Sequence, residues 1–272
     1  MKKRWMRLLT ELSSRKWVSR TAGRAASSGW SRRWIPSFAK AYNIQVDEAE
    51  KPMSEYRTLN EFFTRRLKPG MRPLAAGEDI LLSPVDALIT GMGPIRQGTI
   101  LNVKGQDYTL DELLHRSPYQ QKYMHGYYFV LYLSPTDYHR IHSPVTGKLV
   151  ESEHVPGRVY PVNDFGLRHM PRVLSRNERL ITYLRHAHGE VSVVKVGALN
   201  VSSIHYTDGA PLPAYERGQE LAYFAFGSTV VLLTENGTFE PRSDLAVGSA
   251  VKMGEGLGRL QDAGTSPRTG EA

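Results

Sequence analysis

Tyr127-Tyr-Phe-Val-Leu-Tyr-Leu133 carries an aromatic or aliphatic side chain at every position, with no charge, glycine or proline. A strand with one face in water alternates apolar and polar residues; a run apolar at odd and even positions alike is a strand covered on both faces. The segment therefore reads as the middle of a sheet. Working outward, 88–92, 147–151, 179–183, 191–196 and 229–233 are further short β-rich runs punctuated by Gly and Pro. One helix is expected at 109–115, where Thr109 can cap its start. Upstream the texture is helical. Thr58 with Glu61 three residues on is a capping-box pattern, and Pro69-Gly70 is a stop signal. The expectation is an α+β fold, with a helical region over 1–70, a β-rich domain over 71–264 and a polar tail, 265–272, read as disordered.

The charge is unevenly spread. The chain has 272 residues and a net charge of +8, yet residues 1–40 hold 11 Lys and Arg against Glu11 alone, leaving the rest slightly acidic. All four tryptophans, Trp5, Trp17, Trp30 and Trp34, lie in the same stretch. Phosphate contacts with nucleic acid are one use for such a segment. A membrane surface fits better, and no nucleic-acid partner is expected, because tryptophan favours the bilayer interface. Over 3–14, Trp5, Leu8, Leu9 and Leu12 fall on one helical face and Lys3, Arg4 and Arg7 mostly elsewhere. This is an amphipathic helix suited to an anionic lipid surface, each basic residue contributing about 1 kcal/mol; the plainer reading is a basic helix packed on its own domain. The longest apolar stretch, 126–133, is too short to span a bilayer, and no secretory signal is recognised at the N-terminus. The expected location is peripheral, on the cytoplasmic face of the cell membrane. The absence of cysteine excludes thiol nucleophiles, Cys-ligated zinc and iron–sulfur clusters.

Three clusters offer chemistry. Ser83-Pro-Val-Asp86 delivers an acid from a proline-set turn. Leu133-Ser-Pro-Thr-Asp-Tyr-His139-Arg-Ile-His142-Ser-Pro sets two histidines three apart, directly after the most buried strand. Phe226-Gly227-Ser228-Thr229 places a hydroxyl at the mouth of an apolar strand. Singly, each has a plain explanation in turn chemistry, a solvated loop or a strand-start bulge. Together they supply acid, base and hydroxyl in the order Asp, His, Ser, a triad that recurs in several chain orders. Ser228 is in no G-x-S-x-G elbow. It has another target, the carbonyl of Gly227, which a glycine leaves sterically open.

Phe-Gly-Ser-Thr resembles the cleavage motif of the phosphatidylserine decarboxylases. The resemblance extends to Leu59-Asn-Glu-Phe-Phe-Thr-Arg-Arg-Leu-Lys-Pro-Gly, Ser83-Pro-Val-Asp, Tyr132-Leu-Ser-Pro-Thr-Asp-Tyr-His-Arg-Ile-His, Asn177-Glu-Arg, Val196-Gly-Ala and Gly218-Gln-Glu-Leu-Ala-Tyr-Phe, in the same order. Asn200-Val-Ser202-Ser203 departs from it, since the family usually has glycine before the second serine. The resemblance implies a precursor that cuts itself between Gly227 and Ser228, with Asp86, His142 and Ser228 as the self-cleavage triad. Ser228 then becomes a covalent pyruvoyl group, the only cofactor implied. It implies a Schiff base between that group and the amine of phosphatidylserine in an anionic membrane, loss of CO2, and phosphatidylethanolamine as product. His139 is implied in substrate handling and reprotonation. The β chain (1–227) and the 45-residue α chain (228–272) would stay together as a heterodimer, with room for a higher oligomer. Two rival readings are a zinc hydrolase with His139, His142 and Asp86 as ligands, and a passive membrane-binding β module; the resemblance calls for no metal.

Overall fold

The computed structural model describes residues 24–103, 106–160, 162, 170, 172–198, 204–225 and 228–264. The expected helix at 3–14, the Gly227 side of the cleavage motif, the 200–203 departure and the 265–272 tail lie outside the described residues.

An eight-stranded antiparallel sheet organises the domain. Its spatial order is Ala214–Tyr215, Gly147–Val155, Arg179–His186, Gly189–Gly197, Ser228–Thr234, Tyr127–Leu133, Ala87–Pro94 and Ala250–Val251. Tyr127–Leu133 has neighbours on both edges, pairing with Ser228–Thr234 and Ala87–Pro94. Its alternate residues enter two cores. Tyr128 and Val130 join Val194, Val196, Ile181, Val231 and Leu233 on one face. Phe129, Leu131 and Leu133 join Val191, Val193, Val230 and Leu232 on the other. At about 25 cal/mol per Å² of apolar surface removed from water, this two-sided burial is the main favourable contribution of the sheet.

Each face has its own cover. The first is roofed by the short helices Leu110–Leu113, Gln120–Tyr123 and Val173–Arg176 through Leu110, Leu113, Tyr123, Val173 and Leu174. The second is roofed by two three-stranded sheets. One contains Ile204–Tyr206, Glu220–Phe224 and Arg140–His142, the other Ile80–Leu82, Gly256–Leu260 and Phe239–Pro241.

Over the described residues 24–70 the chain forms short turns of helix rather than continuous helix. Among the described residues the longest α-helix there is Ile35–Ala41. Ile35, Ala39, Ile44, Tyr56, Leu59 and Phe62 form its small core. Thr58 caps Leu59–Phe63, its hydroxyl accepting from Glu61 N at 3.0 Å, and the Glu61 carboxylate reaches back to Arg57 N at 2.8 Å. The helix ends at Phe63, before Pro69-Gly70, as Thr64 Oγ1 turns back to the Asn60 carbonyl. Thr109 caps Leu110–Leu113 in the same way, at 3.2 Å from Glu112 N. Among the described residues no helix is long and apolar enough to cross a membrane.

Candidate active site

Ser228 opens the Ser228–Thr234 strand, and its backbone is registered on both sides, against Leu133 and against Gly197. Gly197 is itself fixed. Asn177, fully buried, donates from Nδ2 to the Gly197 carbonyl at 2.7 Å and to the Tyr160 carbonyl at 2.8 Å, while Oδ1 accepts from Tyr160 N at 2.9 Å. The Glu178 carbonyl accepts from Gly197 N at 2.9 Å. Arg179 holds the other end of this corner through the carbonyls of Leu113 and Asn177. The Asn177-Glu-Arg motif thus acts as a clamp on the residue opposite Ser228, a role its polar composition does not reveal.

The two histidines share one arrangement. His139 Nδ1 lies 2.8 Å from the Asp137 carbonyl and His142 Nδ1 lies 2.7 Å from the Gly218 carbonyl. A carbonyl only accepts, so each Nδ1 carries the hydrogen and each Nε2 presents its lone pair. The two Nε2 atoms differ in what they meet. His142 Nε2 accepts from the Tyr138 hydroxyl at 2.9 Å, whereas His139 Nε2 is buried with no partner. Burial pushes the His139 imidazole down to about 3, the Asp137 carbonyl and the distant Asp86 charge opposing too weakly to restore it. Burial also lowers His142, against the pull of the Gly218 carbonyl and Glu220. Both rings are neutral at physiological pH. Phe63 packs on the His139 ring at 4.0 Å between centroids.

Register orders the histidines relative to the cleavage motif. Phe224 N donates to the His139 carbonyl at 3.1 Å, and His142 stands opposite Glu220. His139 is therefore level with a residue four before Ser228, and His142 with one eight before it.

Asp86 is not hydrogen-bonded to His142. Its buried carboxylate takes Arg72 Nε at 2.9 Å, Arg72 Nη2 at 2.6 Å, Lys252 Nζ at 3.2 Å and Met253 N at 2.9 Å. Burial alone would raise its pKa; the Arg72 bonds, Met253 N and the Lys252 charge outweigh it and hold the group below the usual carboxylate value. Arg72 also grips Glu48 at 2.7 Å. The orienting task that a triad gives to a carboxylate is performed for His142 by the Gly218 carbonyl. Asp86, His139 and His142 likewise do not converge as a ligand set: among the described residues no three His, Cys, Asp or Glu stand where they could hold a metal ion.

The segment before Asp86 adds Arg65, which lies in the Leu59-Asn-Glu-Phe-Phe-Thr-Arg-Arg motif. Arg65 is 4% exposed and donates from Nη2 to the Thr136 carbonyl at 3.3 Å, while Nε and Nη1 are buried without partners. An open groove lined by Val145, Thr146, Lys148, His186, His188 and Tyr215 lies elsewhere; none of the residues above forms its wall.

Residues 59–259 match the phosphatidylserine decarboxylase family. The chain belongs to this family. Three relatives, each a phosphatidylserine decarboxylase proenzyme, align over nearly their whole length. The one from Brevibacillus brevis is 43% identical over 258 residues, covering 88% of this chain and 92% of its own. That from Geobacillus kaustophilus is 44% identical over 259 residues, covering 94% and 97%. That from Halalkalibacterium halodurans is 42% identical over 262 residues, covering 95% and 98%. The match to the phosphatidylserine decarboxylases begins at the first residue of the Leu59–Phe63 helix. It therefore takes in Arg65, Asp86, His139, His142, Asn177 and Ser228, and leaves the basic front outside. The match thus runs from the Leu59–Phe63 helix into the last strand, Gly256–Leu260, and the chain is a decarboxylase.

Proposed function

We propose that the chain is a self-processing precursor that converts Ser228 into a pyruvoyl group and then decarboxylates phosphatidylserine to phosphatidylethanolamine. The observation that carries this reading is the junction itself. Ser228 heads a strand laddered on both sides, directly after the Phe226-Gly227 step, and the histidine motif is hydrogen-bonded to the same connection through Phe224 N and the His139 carbonyl. A new N-terminal group at 228 would be held on both sides by the sheet after cleavage.

The processing chemistry needs the chain and one water. The Ser228 hydroxyl attacks the Gly227 carbonyl, His142 Nε2 taking the proton after giving up its bond to the Tyr138 hydroxyl, and the amide becomes an ester. Loss of the serine α-proton expels the Gly227 carboxylate and leaves a dehydroalanine. Tautomerisation and one water then give the ketone and ammonia. Asp86 enters by its field, since its charge favours the protonated form of both histidines. The ketone would supply an electrophile for the substrate amine and a sink for the electrons that CO2 leaves behind. His139 Nε2, buried and unpaired, suits the proton transfers at the substrate α-carbon. The 228–272 chain stays docked through the ladders and through Lys252 and Met253 on Asp86.

Peripheral attachment at the cytoplasmic face is part of the proposal. Trp30 and Trp34 are both exposed, packed edge to face at 4.9 Å, with Arg32 and Arg33 between them in sequence. That is an interface-seeking pair beside positive charge. Trp30→Ala/Trp34→Ala should weaken co-sedimentation with phosphatidylserine vesicles, and undiminished binding would remove this surface from the account.

Two variants test the processing. Ser228→Ala should remain one chain that releases no CO2, and normal processing in it would sink the proposal. His142→Ala should slow self-cleavage by roughly 10²-fold or more. Cleavage at the wild-type rate would take the base away from His142.

A further inference from the structure

Among the described residues, Arg65 is the charged side chain beside the site whose surroundings leave it incomplete. An arginine keeps its charge in a protein and has five N–H donors in a planar fork. Burying such a group is costly unless its donors are met. Here the guanidinium is buried, Nη2 meets only the Thr136 carbonyl, and Nε and Nη1 meet nothing. Among the described residues no carboxylate lies within salt-bridge distance of it, and its cationic neighbour interaction is with the face of Phe62 at 5.4 Å. Arg66 and Arg72, in the same segment, have carboxylates, Glu220 for the first and Glu48 and Asp86 for the second.

Position ties this unmet cation to the reaction. Thr136 and His139 belong to one loop, and Phe63, two residues before Arg65, packs on the His139 ring. The Leu59–Phe63 helix exit and the 134–139 loop thus bring together unmet donors on Arg65 and an unmet acceptor on His139 Nε2. Such a pair suits a ligand with an anionic group at one end and a proton to exchange at the other.

Resting on the proposed function, we infer that Arg65 binds the phosphodiester of the substrate headgroup. The headgroup has two anionic groups, and the chemistry chooses between them. A guanidinium on the carboxylate would stabilise the charge that must be lost in forming CO2, favouring the ground state over the transition state. The phosphodiester keeps its charge throughout, so a cation there anchors the substrate at no cost to the barrier. Arginine also matches phosphate oxygens two at a time.

The test uses mature enzyme and two soluble competitors, glycerophosphoethanolamine, which has the phosphodiester and no carboxylate, and O-methylserine, which has the carboxylate and no phosphate. In Arg65→Gln, inhibition by glycerophosphoethanolamine should weaken by roughly tenfold to a hundredfold, as for a lost charged hydrogen bond. KM for phosphatidylserine should rise far more than kcat falls, and inhibition by O-methylserine should be unchanged. Unchanged inhibition by glycerophosphoethanolamine overturns the inference, and so does a selective loss with O-methylserine, which would move Arg65 to the carboxylate. Should Arg65→Gln stay uncut, Arg65→Lys carries the test, since it keeps the charge and loses the fork. Weakened phosphodiester inhibition supports the assignment; undiminished inhibition, or failure of both variants to mature, overturns it. Failure of the underlying reading appears earlier and separately, as a wild-type chain that neither cuts itself nor releases CO2.

Discussion

Two buried charges at opposite ends of the central sheet are treated in opposite ways. Glu190 precedes Val191, which pairs with Thr234 at one end; it is fully buried and receives Lys122 Nζ at 2.6 Å, the Tyr123 hydroxyl at 3.0 Å and Arg185 Nη2 at 3.4 Å. Arg65 reaches the loop that follows Leu133, which pairs with Ser228 at the other end, and among the described residues its guanidinium makes a single hydrogen bond. A buried charge whose partners are all supplied by the protein fixes structure. A buried charge left short of partners is retained at a cost in stability, and function is the reason to look for. The same contrast separates Asp86, saturated by Arg72, Lys252 and Met253 N, from His139, whose Nε2 is empty-handed.

The contrast can be broken by exchanging the two kinds of loss. His139→Ala should cost roughly 10²–10⁴-fold in decarboxylation per folded molecule of mature enzyme, beside a folding loss of about 2–3 kcal/mol from the Asp137 hydrogen bond and the Phe63 contact. The folding loss with activity kept per folded molecule would make His139 a structural residue. Glu190→Gln should cost stability alone. Lys122 and Arg185 lose a buried counter-charge, so chemical denaturation of the Ser228→Ala form should register a loss of about 3 kcal/mol. In the otherwise wild-type chain it should leave self-cleavage intact.

A smaller effect sharpens the comparison through pH. His139 is depressed to about 3 in the folded chain, against an ordinary value near 6.5. Between those values the unfolded chain binds a proton that the folded chain does not, so stability rises with pH across this window and falls as pH drops. Acidifying from pH 7 to pH 5 should cost the Ser228→Ala form about 2 kcal/mol through this group. Adding His139→Asn should remove that part of the loss. Equal acid sensitivity with and without His139 would mean that its ring is not buried neutral. His142, His186 and His205 are also lowered by burial, and the acid sensitivity that survives the substitution is assigned to them.

Much of the frame was legible in the sequence because it rests on periodicity. The Tyr127–Leu133 strand has the bounds that its apolar run implies, and the Thr58 and Thr109 caps were readable from spacing alone. The short roofing strands, such as Arg140–His142, Ile204–Tyr206 and Gly256–Leu260, were not. They are three to five residues long, and their pairing partners lie far away in the chain, so no local pattern marks them. The site was legible as residue types and not as contacts. Asp86 could be picked out as an acid in a turn, but its capture by Lys252, 166 residues on, depends on the fold. Arg65 is one of three cationic residues in Thr-Arg-Arg-Leu-Lys, and only its burial distinguishes it from the exposed neighbour Arg66.

The central claim is that the Gly227–Ser228 bond cuts itself, and an intact-mass spectrum of the purified wild-type chain tests it most directly. The account predicts two masses dividing the chain between Gly227 and Ser228, with the 45-residue fragment bearing an N-terminal pyruvoyl in place of serine. A single uncut mass, persisting after long incubation at neutral pH with anionic lipid, would contradict it.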